Sequence, residues 1–118
     1  MPDLLFVYGS LRSEFDNVHA VRLRAEASFE GAATMPGSIF LVGPYPGYRT
    51  EPAGVVMGEA YALADPEKTF AHLDDYEGRE YERIRVRLTS HNAVAWVYQY
   101  ATQLPPESRI VSGDFTRQ

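Results

Sequence analysis

The segment from Leu73 to Leu88 changes its hydrophobic period halfway along, at Glu77-Gly78. Before the break it closes a helix. Asp65 is a natural N-cap, Pro66 suits the first helical position and Glu67 suits the positive end of the helix dipole. Phe70 and Leu73 share one face at i, i+3, and Gly78 is a natural C-terminal stop. After the break the period is two. Ile84, Val86 and Leu88 face one way; Tyr81, Arg83, Arg85 and Arg87 face the other. Thr89 to Asn92 can turn the chain. Ala93 to Tyr100 then puts Val94, Trp96, Tyr98 and Tyr100 on one face, so the two runs read as an antiparallel hairpin. Glu77 sits at the junction of helix and strand, where a carboxylate can be held over a cavity instead of pointing into water.

The N-terminal half adds strands and turns. Leu4 to Tyr8 is a continuous apolar run ended by Gly9-Ser10, the pattern of a central strand covered on both faces. Phe15 to Ala27 carries a weak helical period, with Asp16 or Ser13 as its cap. Between residues 28 and 54, Ser38 to Val42 reads as a short strand. Gly43 to Tyr48 reads as irregular, because Pro44 and Pro46 remove donors and fix φ; so aromatic a loop is packed over the core or shaped over a site. Val55 to Leu63 alternates large with small or medium residues, a strand whose small face suits a tightly curved sheet or a close ligand. The tail from Leu104 to Gln118 reads as mostly irregular. This mixed order predicts a single α+β domain over residues 1–118, built as a small, closed or nearly closed mixed β-barrel with flanking helices.

Composition narrows the function classes. With 118 residues, 45% of them hydrophobic, the chain can bury a core without staples. There is no cysteine, which excludes disulfides, thiol nucleophiles and thiolate metal sites and fits a cytoplasmic location. A net charge of -5 with scattered arginines argues against nucleic-acid binding. The start Met-Pro-Asp has no basic region ahead of its apolar run, so no signal peptide is expected. No apolar stretch approaches the roughly 20 residues of a membrane helix, so no membrane partner is expected either.

Few residues can carry chemistry. The nucleophile elbow, the phosphate-binding loop and the dinucleotide fingerprint are all missing. His19, His72 and His91 are isolated and read as surface or packed histidines, with no metal-like spacing. Ser10 has no histidine nearby in sequence to activate it, so its backbone N–H is a better functional candidate than its hydroxyl. Asp74 and Asp75 read as solvated helix-end acids. Glu77 differs from them: it lies at the junction on a rigid frame, and Gly78 lets a substrate or a strand come close.

Four pieces occur in order: Val7-Tyr8-Gly9-Ser10-Leu11; Gly58-Glu59-Ala60-Tyr61; Leu73-Asp74-Asp75-Tyr76-Glu77-Gly78 with Tyr81 and Arg83; and Ser112-Gly113-Asp114-Phe115. Together they resemble the gamma-glutamylcyclotransferase-like family, which includes gamma-glutamylamine cyclotransferases and AIG2-like and YtfP-like proteins. The resemblance runs from the first strand to the tail; Phe115 departs from the Trp of many relatives. It implies the barrel just described and a substrate-binding turn at Tyr8, Gly9, Ser10 and Leu11 that acts through backbone groups. It implies Glu77 as catalytic acid/base. Tyr81 and Arg83 are implied as site-supporting residues, with barrel packing and ion pairing as the other reading. The implied substrate is a small gamma-glutamyl compound, closed to 5-oxoproline with release of an amine or amino acid, without metal or cofactor. For such a dual-role carboxylate, burial is expected to raise the pKa. A non-catalytic small-ligand or interaction domain on the same barrel is the alternative.

Overall fold

The structure is a computed structural model describing residues 3–117. Met1, Pro2 and Gln118, on which the leader reading and the end of the tail reading fall, lie outside the described residues. In chain order the elements are β1 (Leu4–Val7), α1 (Val18–Glu26), β2 (Ala27–Pro36), β3 (Ser38–Val42), β4 (Tyr45–Arg49), β5 (Val55–Leu63), α2 (Pro66–Glu77), β6 (Tyr81–Arg87) and β7 (Val94–Tyr100). Short 3-10 turns at Pro106–Ser108 and Phe115–Arg117 punctuate the tail.

Among the described residues the strands form one mixed sheet in the order β2-β5-β1-β7-β4-β3, with β6 also on β7. The sheet curls into a half-barrel with two α-helices against it. β7 has three partners but only two edges. β6 takes one edge along its whole length, from Tyr81 opposite Tyr100 to Arg87 opposite Val94. The other edge is divided: β1 pairs in parallel at Leu5–Trp96, and β4 pairs in parallel at Tyr48–Gln99. β1 and β4 therefore separate along the second half of β7. Near the end of the path, β2 is tied to the turn after β6 by Thr89 N–H on Thr34 O at 2.8 Å and Thr34 N–H on Ser90 Oγ at 2.9 Å.

The apolar pattern of β1 explains its central place. Phe6 and Tyr8 enter one core cluster with Met35, Ile39, Tyr48, Val56 and Val97. Leu5 and Val7 enter the other, beneath the helices, with Leu23, Phe70 and Leu73. Two covered faces require a continuous apolar run, as found. Helix α2 begins on Asp65, which accepts from Lys68 N–H, with Pro66 in the first turn, and Gly78 caps its end at φ 79°.

Two local expectations differ. The cap of α1 is Asn17, which accepts from Ala20 N–H at 2.9 Å. Ser13 is engaged elsewhere, with its N–H and hydroxyl both on Glu59, and Asp16 stays in solvent beside Arg24. Tyr45 to Tyr48 is strand, not irregular loop. Tyr48 directs its N–H away from β3, onto the Tyr8 hydroxyl. Pro46, two residues earlier, lies on the same side of the strand, where no ladder donor is needed. Finally, β2 has no clean alternation in sequence because a bulge between Phe29 and Gly31 shifts its register against β5. No helix among the described residues is long and apolar enough to cross a membrane.

Candidate active site

Where β1 and β4 separate, the half-barrel holds a cavity of about 220 Å3. One wall is the turn that ends β1, Tyr8 to Leu11. The facing wall is Tyr76, Glu77 and Tyr81, with Tyr98 from β7 and Tyr45-Pro46 from β4. Four sequence-distant stretches thus meet at one opening. The turn closes by Arg12 N–H on Gly9 O at 3.0 Å, and Asn17 holds Ser10 O at 2.7 Å. Among the described residues, the backbone N–H groups of Gly9, Ser10 and Leu11 are committed to no such bond. The Ser10 hydroxyl sits 3.2 Å from the Tyr76 hydroxyl. Gly9 is required by contact, since a Cβ there would lie 2.7 Å from Cγ of Pro46.

Two carboxylates pin this turn from outside the cavity. Glu59 takes the Ser13 N–H at 2.6 Å and its hydroxyl at 2.7 Å. Asp114 takes Arg12 at 2.9 Å and Thr116 through N–H and hydroxyl. Burial works to raise the Asp114 pKa, but the Thr116 hydrogen bonds and Arg12 outweigh it and hold the carboxyl below 3.8.

Glu77 is the last residue of α2. Gly78 follows at φ 79°, with its N–H on Asp74 O at 3.1 Å, and reverses the chain into β6. A left-handed residue there is cheapest as glycine. This cap leaves Glu77 half buried on the cavity wall, with no hydrogen-bond partner among the described residues. Burial alone pushes its carboxyl from 4.5 up to about 7. Unpaired charge in a poorly solvated place is disfavoured, so the protonated form persists to neutral pH.

Three tyrosines feel Glu77. Burial first, and then a charge on Glu77, raise the hydroxyl pKa of Tyr8 and Tyr81. Tyr98 is raised by burial, then by Asp74, with Glu77 contributing less. The Tyr81 hydroxyl donates to Pro46 O at 3.0 Å and the Tyr98 hydroxyl to Asp74 Oδ1 at 2.7 Å.

The structure brings Glu77, Tyr8, Gly9, Ser10, Leu11 and Tyr81 together around the cavity. It does not bring Arg83 there: of the two readings of Arg83, ion pairing and packing are what the structure shows. Its guanidinium is held in two bonds by Asp74, at 2.8 and 3.1 Å, and lies 4.0 Å from the Phe70 ring centroid and 4.9 Å from that of Trp96. Ion pairing and packing occupy it. Asp74, read as a solvated acid, joins Arg83 to Tyr98; burial would raise its pKa, but Arg83 and Tyr98 together lower it below 3.8. Tyr98 and Tyr76 have no site reading in the sequence, while Tyr45-Pro46 belongs to the aromatic stretch read as packed over the core or shaped over a site. The register Arg83 opposite Tyr98 was the available signal for Tyr98.

A model of the family described as "Gamma-glutamyl cyclotransferase, AIG2-like" matches residues 5–117. The "Gamma-glutamylcyclotransferase family protein YtfP" of Escherichia coli (strain K12) is 31% identical over 112 residues, covering 94% of each chain. The solution NMR structure of protein ytfP from Escherichia coli superposes with a TM-score of 0.67 at 31% identity, again over 94% of each chain. An aig2-like protein from Mus musculus has the same fold, with a TM-score of 0.72 over 91% of this chain and 82% of that one, at 23% identity. With the match running from β1 to the last turn, this chain belongs to the gamma-glutamyl cyclotransferase, AIG2-like family.

Proposed function

We propose that the protein is a gamma-glutamyl cyclotransferase acting on a small gamma-glutamyl compound, with Glu77 as its acid/base. The observation that carries this reading is Glu77 itself: an unpartnered, half-buried carboxyl on the wall of a cavity whose opposite wall offers uncommitted backbone N–H groups. A carboxyl with a pKa near 7 can both take and return a proton at neutral pH.

In the proposed reaction the α-amine of the glutamyl group attacks its own side-chain carbonyl carbon. A C–N bond forms, closing a five-membered ring, and the scissile amide C–N bond breaks. An intramolecular attack held in the right geometry supplies roughly 7–11 kcal/mol of the barrier, so no protein nucleophile is needed. The N–H groups of Gly9, Ser10 and Leu11 meet the developing oxyanion. The attacking nitrogen begins as an ammonium and ends with one hydrogen; the leaving nitrogen begins with one and departs as an ammonium. Glu77 carries both protons across. The products are 5-oxoproline and a free amine or amino acid. A cytoplasmic setting, read from the absence of cysteine, accompanies this proposal.

The test is a panel of gamma-glutamyl amino acids, gamma-glutamyl-lysine and glutathione, with 5-oxoproline read by mass spectrometry. Wild type should release 5-oxoproline from at least one, and Glu77→Gln should be slower by about a hundredfold or more. Equal rates would remove Glu77 from the mechanism.

A further inference from the structure

A tyrosine hydroxyl has one hydrogen to give, and those of Tyr8, Tyr81 and Tyr98 beside Glu77 are already given away. Tyr8 donates to Tyr98 O at 2.6 Å and Tyr81 to Pro46 O at 3.0 Å. Both acceptors are backbone carbonyls, which cannot donate, so the direction is forced. Tyr98 donates to Asp74 Oδ1 at 2.7 Å, and Arg83 keeps Asp74 an anion. The Tyr8 oxygen is further occupied by Tyr48 N–H at 3.1 Å. Tyr81 and Tyr98 therefore show the cavity oxygen lone pairs and no hydrogen.

The charge pattern agrees. No Lys, Arg or His lines the cavity among the described residues; its one ionisable acid is Glu77. The cavity is thus polarised, with donors along the turn from Gly9 to Leu11 and acceptors at Glu77, Tyr81 and Tyr98. Tyr81, Tyr98 and an ionised Glu77 offer acceptors only, which suits a group with several N–H bonds and no lone pair, a primary ammonium.

We propose that Tyr81 and Tyr98, with Glu77, form the receptor for the substrate's primary ammonium, and that Asp74, locked by Arg83, is the positioning residue that keeps the Tyr98 hydroxyl an acceptor. This deepens the cyclotransferase reading and rests on it only for the identity of the ammonium, the glutamyl α-amine. The site then selects its nucleophile before reaction. An N-acylated glutamyl group, with one N–H and a bulky acceptor carbonyl, is refused. Asp74→Ala removes the acceptor and frees the phenolic hydrogen of Tyr98 to turn towards the ammonium.

The experiment titrates wild type, Tyr98→Phe, Tyr81→Phe and Asp74→Ala by NMR with three probes: L-glutamine, N-acetyl-L-glutamine and 5-oxo-L-proline. Wild type should bind L-glutamine at least about tenfold more tightly than its N-acetyl form. Each variant should lose about tenfold for L-glutamine while holding 5-oxo-L-proline, which has no ammonium, within about twofold. Retained 5-oxo-L-proline binding also shows that the variant cavity is folded. Wild type binding both glutamines alike would overturn the proposal, as would variants that lose all ligands equally or none. If wild type selects L-glutamine yet forms no 5-oxoproline from any gamma-glutamyl compound, the ammonium receptor stands and the cyclotransferase reading falls.

Discussion

The hydroxyl of Tyr8 accepts the backbone N–H of Tyr48 at 3.1 Å, deep in the core, and passes its own hydrogen to Tyr98 O at 2.6 Å. A side chain from β1 here does the work of a ladder bond between β4 and β7, just before the two strands pair at Tyr48 and Gln99. Removing it should cost stability and shape together. Tyr8→Phe keeps the ring in the core but leaves a buried donor and a buried acceptor unpaired, an expected loss of about 1–3 kcal/mol. Urea unfolding with an unchanged m-value would measure it. Stability within a few tenths of wild type would mean the two backbone groups find other partners.

The half-buried Glu77 carboxyl should be visible in stability as well as rate. Its pKa is raised by burial from 4.5 to about 7. Between those values the folded state binds more protons at this group than the unfolded state, so the contribution of Glu77 to stability falls as pH rises through the window. Glu77→Gln has no such group. The variant should therefore match wild type at or below about pH 4.5 and gain on it towards pH 8, by an amount on the order of 3 kcal/mol. Parallel stability curves across this range would refute the buried-carboxyl account. The same titration should appear in kcat/KM as a rise with an apparent pKa near 7, because the free enzyme needs the ionised base.

Helices α1 and α2 meet through His19 and His72, whose Nδ1 and Nε2 are 3.1 Å apart. An arginine can only donate, so Arg22, 3.0 Å from Nδ1 of His72, fixes that nitrogen as an acceptor. The His72 hydrogen is then on Nε2, given to His19. His19 stacks on Tyr76, a wall of the cavity, with ring centroids 3.9 Å apart. Burial, then Arg22 and His19, lowers the His72 pKa below 6.5, against the smaller pull of Glu26 and Asp75. The unfolded chain therefore binds the extra proton first, and the contribution of His72 falls as pH drops below 6.5, opposite in sign to that of Glu77. In a Glu77→Gln background, adding His72→Gln should flatten the urea midpoint between pH 7.5 and pH 5, while an unchanged slope would place the pH response elsewhere.

What sequence could show was local. Asp65-Pro66 and Gly78 bracket α2 by chemistry within one turn of each end, and the two-residue period of β6 and β7 needs no distant information. Glu77 was legible for the same reason, since the helix-to-strand break is written at its neighbour. β4 was not, because Pro46 is tolerable only where the sheet leaves that side unpaired, which depends on a strand far away in sequence. Tyr98 and Asp74 were hidden in the same way: their roles need the hairpin register and the return of α2 over it. Arg83 stood open between site support and ion pairing with packing, and only the fold shows its charge held by Asp74 and two aromatic rings.

The divided edge of β7 also determines what kind of hollow this is. It is an unzipped seam, left where two parallel neighbours compete for one strand and neither claims all of it. Its width is metered by backbone pairing and by the stop that Gly9 makes against Pro46, so trimming a wall side chain reshapes the lining without moving the seam.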